Sequence, residues 1–189
     1  MNSSSQGRSG AKRGAVRIIA GAHRGRRISV PLRPGVRPTP DRVRETLFNW
    51  LGQQLDGLAC LDLFAGSGAL GFEAASRGAA RVVLVEHDRA AFEALLRTKA
   101  LLRTPQVEVV HEDAFAYLRR ASAQFDVVFL DPPFRQNALG VALAAVAERV
   151  AQGGRVYVEA AEPLPAQAPW HELRRARAGQ VSYQLLEKR

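Results

Sequence analysis

The sequence predicts an α/β fold, a mostly parallel sheet covered by helices on both faces, with a small hairpin and helix added at the N-terminus. Three observations carry this. Apolar runs of five or six residues alternate with segments of helical spacing from residue 59 to residue 159. A glycine-rich turn follows the first of these runs. A stiff Asp131-Pro132-Pro133-Phe134 loop follows the fourth, because two successive prolines neither continue a strand ladder nor start a helix smoothly.

In chain order, residues 1–14 carry Ser, Gly, Arg and Lys with almost no apolar content, which predicts a disordered basic tail. Val16 to Ala20 and Ile28 to Val30 read as two short strands around the Gly21–Arg27 turn. Thr39 is placed to cap a helix, with Pro40 at its first position and Asp41 in its first turn. Val43, Leu47, Trp50, Leu51 and Leu55 then follow at helical spacing as far as Gly57. Residues 15–57 are therefore expected to form an N-terminal unit and 58–189 the main domain. Strands are expected at Ala59–Phe64, Arg81–Glu86, Val107–His111, Phe125–Leu130 and Arg155–Glu159. The intervening helices are expected at about Ala69–Arg77, 89–102, Ala114–Arg120 and Ala138–Val150. Trp170–Arg174 and Gln180–Leu186 flank Ala178-Gly179 and read as an antiparallel hairpin.

Composition narrows the function. At 189 residues and 47% hydrophobic, the chain suits one well-buried domain. It has no apolar run that would cross a bilayer and no signal-peptide core, so a cytoplasmic protein without a membrane is expected. Cys60 lies in an apolar run and reads as a buried, unreactive thiol; one Cys and four His offer no metal-ligand cluster. The net charge of +9 is concentrated in residues 1–50, where eleven Arg or Lys face only Asp41 and Glu45, while the remainder balances. Such asymmetry points to a polyanion held by the N-terminal part, RNA or DNA first. Arg outnumbers Lys 24 to 3, so compositional bias accounts for some of the charge, but not for its clustering.

The site motifs lie where an open α/β sheet binds ligands, at the C-terminal ends of its strands. Gly66, Gly68 and Gly71 satisfy G-x-G-x-x-G between the first main strand and its helix. Glu86 ends the next strand twenty residues after Gly66, where an acid meets a ribose diol. Asp62 precedes the glycines. There it would repel a pyrophosphate but would suit a cationic ligand, such as the amino group of S-adenosylmethionine beside its sulfonium. Asp113 either accepts from an adenine amine or caps the helix that follows, and both roles are compatible. Acceptors from Asp131 and the Pro132 carbonyl would hold an exocyclic amine and turn its lone pair toward a methyl carbon. Phe134 would stack on the base or pack beneath the loop.

These residues resemble the bacterial 16S ribosomal RNA guanine-N2 methyltransferases of the RsmD type. The likeness runs from about Arg17 to Leu186. It includes Arg17-Ile18-Ile19-Ala20-Gly21, Arg24-Gly25-Arg26-Arg27, the segment from Arg37 to Phe48, Asp62–Gly71, Glu86, Asp113 and Asp131–Phe134. The resemblance implies a Rossmann-like class I methyltransferase sheet of seven strands whose last pair is the C-terminal hairpin. It implies S-adenosylmethionine as donor and 16S rRNA, in small ribosomal subunits or their assembly intermediates, as substrate. Asp131, Pro132 and Phe134 then form the catalytic set. Asp62, Phe64, Gly66, Gly68, Glu86, Asp113 and Ala114, with Thr39, form the cofactor set. Arg24, Arg26, Arg27, Arg37, Arg42 and Arg44 would face RNA, with no metal and a monomer expected. Without the resemblance, Arg42, Arg44 and Glu45 read as a solvated helix face. The competing readings are an adenine-N6 methyltransferase, a nicotinamide-dependent reductase that Asp62 disfavours, and a non-catalytic RNA-binding assembly factor.

Overall fold

The computed structural model describes residues 14–30, 39–132, 138–165 and 167–189. The expected tail lies outside them except for Gly14, which opens β1 (Gly14–Arg17). β1 pairs antiparallel with β2 (Arg27–Val30) across a short 3₁₀ turn at Gly21–His23. Helix α1 (Asp41–Leu51) follows.

The main sheet is built from β3 (Ala59–Asp62), β4 (Arg81–Glu86), β5 (Val107–His111), β6 (Phe125–Leu130), β7 (Val150–Ala160), β8 (Trp170–Ala178) and β9 (Val181–Lys188). The helices between them are α2 (Ala69–Ser76), α3 (Arg89–Leu102), α4 (Ala114–Arg120) and α5 (Ala138–Val146). The strand order is β5-β4-β3-β6-β7-β9-β8. The first five pair in parallel, while β9 runs antiparallel to both β7 and β8. The chain starts in the middle at β3, builds outward to β5, then returns to lay β6 against β3. That reversal opens a crevice at the C-terminal ends of β3 and β6, the place where ligands enter such sheets.

Alternation along the strands divides the interior. Cys60, Val82, Leu84, Val127, Phe129 and Tyr157 face a core completed by α1 and α2. Leu61, Val83, Val85, Val128, Leu130, Val156 and Val158 face the other, with residues of α4 and α5. The N-terminal segment belongs to the first core: Val16, Ile18, Ile28, Val30, Val43, Leu47, Phe48 and Leu51 are all buried in it. Trp50 stacks on Tyr183 of β9 at 5.3 Å, and Phe48 meets Phe129 of β6 at 6.0 Å. Residues 14–30 and 39–57 are thus packed on one face of the sheet.

Several boundaries differ from expectation. β1 spans Gly14–Arg17 rather than Val16–Ala20, β3 ends at Asp62 rather than Phe64, β8 reaches Ala178, and β9 runs Val181–Lys188. α1 stops at Leu51, where Gly52 takes φ 93°, and Leu55 is buried without being helical. α5 ends at Val146 and tightens into a 3₁₀ turn at Ala147–Arg149. β7 begins at Val150, five residues early, because Val150 pairs with Phe125 before a register shift resumes the ladder at Val127 and Arg155.

Candidate functional site

The crevice is lined by strand ends that each deliver an acid. Asp62 ends β3, Glu86 ends β4, Asp131 follows β6, and Glu159 sits one residue from the end of β7. The two-residue period puts these side chains on the face that carries Cys60, Leu84, Phe129 and Tyr157.

The loop after β3 turns into α2 through glycine. Gly68 takes φ 75°, and a Cβ there would meet Leu95 Cδ2 at 2.6 Å, so both conformation and space exclude a side chain. Two carboxylates hold the loop. The Gly66 N–H donates to Glu86 Oε2 at 2.9 Å, and the Gly71 N–H donates to Asp62 Oδ2 at 3.1 Å. Glu86 Oε1 accepts from the Asp88 N–H at 2.8 Å, so each Glu86 oxygen keeps further acceptor capacity toward the crevice. Asp62 is buried beneath the loop, and burial pushes its carboxyl up to about 7, with Glu86 adding to the rise. Phe64 lines the turn half-buried, whereas Ala114 is buried at the start of α4. Asp113 caps α4, its Oδ1 accepting from Phe115 N–H at 3.0 Å and Ala116 N–H at 2.9 Å; the residue is exposed.

Asp131 is partly open to solvent, and among the described residues its carboxylate takes no hydrogen bond. Burial, Glu159 and Asp62, in that order, hold it well above the usual carboxylate range. Pro132 is buried beside it; Phe134 lies outside the described residues. The β6–β7 register pairs Leu130 with Val158, which brings Asp131 alongside Glu159. Glu159 Oε1 accepts from the Thr39 hydroxyl at 2.9 Å and from the Tyr157 hydroxyl at 2.9 Å. Burial raises this carboxyl too, opposed by those two hydrogen bonds.

Two expectations are corrected. Thr39 does not cap α1: Pro40 occupies the cap position without a side-chain bond, and the Thr39 hydroxyl is spent on Glu159. Arg44 does not face solvent or RNA. It is fully buried, donating to the Arg17 carbonyl at 2.8 Å and to Asp41 Oδ1 at 2.7 Å, with Glu73 Oε2 at 3.5 Å. Arg24, Arg26, Arg27 and Arg42 are exposed, and Arg37 lies outside the described residues.

Glu159 and Glu73 were given no role in the sequence reading. An acid closing a core strand, as Glu86 does, was the available signal for Glu159. For Glu73 the signal was a carboxylate inside the otherwise apolar run Ala69–Ala75. Among the described residues, no group of three His, Cys, Asp or Glu is placed to hold a metal ion. No described helix is long and apolar enough to cross a membrane.

Comparison with known proteins places these features in company. The family model described as Conserved hypothetical protein 95 matches residues 16–187. The chain is 43% identical over 180 residues to the Ribosomal RNA small subunit methyltransferase D of Escherichia coli K12, covering 93% of this chain and 91% of that one. Its counterpart of the same name in Haemophilus influenzae is 42% identical over 183 residues, at 93% and 95% coverage. The solved structure of an Escherichia coli chain, whose given name proposes a methyltransferase, superposes with a TM-score of 0.84 at 41% identity, covering 93% of this chain and 98% of that one.

Proposed function

The chain belongs to the Conserved hypothetical protein 95 family, the RsmD-type methyltransferases, and from that membership and this crevice we propose that it transfers a methyl group from S-adenosylmethionine to the N2 amine of one guanine in 16S rRNA. The observation that carries the reading is Asp131. It is a carboxylate at the topological switch point, held at raised basicity and left without a hydrogen-bond donor among the described residues.

The residues suit the cofactor. Glu86 retains acceptor capacity for a ribose diol while it holds the Gly66 N–H. Asp62, with a carboxyl raised to about 7, would be driven to its ionised form by a cationic ligand above the loop. Phe64, Gly66, Gly68, Asp113 and Ala114 complete the cofactor wall; the Thr39 hydroxyl is instead held by Glu159 Oε1. When bound, S-adenosylmethionine supplies an electrophilic methyl carbon, whose C–S bond breaks with the electron pair remaining on sulfur. Asp131 and the Pro132 carbonyl accept the two N2–H bonds and aim the nitrogen lone pair at that carbon. As the N–C bond forms, N2 loses a proton, which Asp131, already accepting one N2–H and raised in basicity by burial, would take. Orientation and electrostatics therefore supply most of the rate.

The exposed Arg24, Arg26, Arg27 and Arg42, with Arg37, carry the substrate, the small ribosomal subunit or its assembly intermediate. The protein acts as a cytoplasmic monomer. The test is methyl transfer from labelled donor to small subunits lacking the modification, followed by nucleoside analysis. Labelled N2-methylguanosine at one site is expected; labelled N6-methyladenosine, or no transfer despite cofactor binding, would overturn the reading.

A further inference from the structure

In the proposed transfer, Asp131 and the Pro132 carbonyl suffice as acceptors for the amine. The crevice nevertheless carries a second carboxylate directly alongside. Leu130 pairs with Val158 in parallel register, so Asp131 and Glu159 stand side by side at the strand ends. The period that places Phe129 and Tyr157 on the α1 face places both acids there as well. Glu159 is only 9% exposed, and the Thr39 and Tyr157 hydroxyls, both at 2.9 Å, donate to the same oxygen, Oε1. Among the described residues nothing donates to Oε2. Two neighbouring carboxylates in a largely buried place repel one another, and no cationic side chain among the described residues pairs with either. Such an arrangement is expected where a ligand brings the missing donors.

Guanine brings them. Its N1–H and its N2 amine are adjacent donors along one edge, whereas adenine sets an N1 acceptor beside its amine. Resting on the guanine-N2 reading above, we propose that Glu159 is the residue that selects guanine, its Oε2 accepting N1–H while Asp131 accepts N2–H. Adenine in the same pose would set its N1 lone pair against Glu159 Oε2, with no proton between them. Thr39 and Tyr157 are positioning residues: by occupying Oε1 they leave Oε2 as the oxygen that reads the base.

The experiment uses small subunits reconstituted with guanine or with 2-aminopurine at the target position. 2-Aminopurine keeps the 2-amine but carries an acceptor at N1. Wild-type enzyme is expected to prefer guanine by about a hundredfold in kcat/KM, since a polar site left unpaired rejects its substrate strongly. Glu159→Gln, whose amide can donate to the N1 acceptor, should narrow that preference by about tenfold or more with S-adenosylhomocysteine affinity unchanged. Thr39→Val, which keeps the carboxylate, should slow both substrates alike and preserve the ratio. Equal losses on both bases in Glu159→Gln would overturn the proposal, as would equal wild-type rates on guanine and 2-aminopurine, a result that needs no variant to fold. Wild-type production of N2-methylguanosine from the guanine subunits separates these outcomes from failure of the guanine-N2 reading itself.

Discussion

Asp62 illustrates how single residues at this site trade stability for chemistry. Its carboxyl rises from 3.8 to about 7 on folding, chiefly through burial. The folded state therefore binds this proton more tightly than the unfolded chain does. Stability from this group is full below pH 3.8 and is lost as pH rises toward 7, on the order of 4 kcal/mol in all. Asp62→Asn keeps an acceptor for the Gly71 N–H and removes the titration. Denaturation across that window should show wild type losing stability relative to the variant between about pH 4 and pH 7, with parallel curves above; a constant difference throughout would contradict the burial argument. At this scale the sequence was legible where a residue type has one use. Cys60 is buried as expected, with a thiol pushed up to about 12. It was less legible for Arg44 and Thr39, because a charged or hydroxylic side chain shows its partner only in three dimensions. Arg44 stands three and four residues before Leu47 and Phe48, on the helix face that α1 buries, and that spacing outweighs its charge.

Among the elements, α2 ties the glycine loop to the arginine turn. Its N-terminus forms the glycine loop, and Glu73 within it accepts from the Ile19 N–H at 2.8 Å and the Ala20 N–H at 3.0 Å, just before the arginine turn. The same carboxylate pairs with Arg77 at 2.8 Å and Arg44 at 3.5 Å, all three side chains being buried. Ser76 extends the contact, accepting from the His23 N–H at 2.9 Å. Among the described residues, Glu73→Gln leaves two buried guanidiniums with no carboxylate partner but the exposed Asp41, and should cost about 3–5 kcal/mol by chemical denaturation. A loss below 1 kcal/mol would mean that the cluster relaxes into solvent. Elements bounded by strong signals matched their expected limits, notably β4, β5, β6 and α4. Of the ends that moved, those at α1 and β7 are set by Gly52 and by tertiary pairing, which periodicity in a short window does not register.

At the scale of the whole molecule, charge and topology act together. The alternation of apolar runs and helices made the parallel sheet legible, and Asp62, Glu86 and Asp131 do stand at the C-terminal ends of its strands or just beyond them. The sequence did not reveal that one face is completed by the N-terminal segment, since its strands and helix are amphipathic pieces that only the assembled core explains. That packing presents Arg24, Arg26 and Arg27 outward, on and just after a turn held by Glu73 and Ser76. Replacing all three by Ala should weaken binding to small subunits and reduce the slope of log affinity against log salt by about 2–3; an unchanged slope would return the turn to the solvated surface. The central claim, that Asp131 works on the transferring geometry, is tested most directly by Asp131→Ala in single-turnover methyl transfer, with donor affinity measured on the same sample. The account predicts donor binding within about twofold of wild type and a rate at least about a hundredfold lower. A near-normal rate would contradict it.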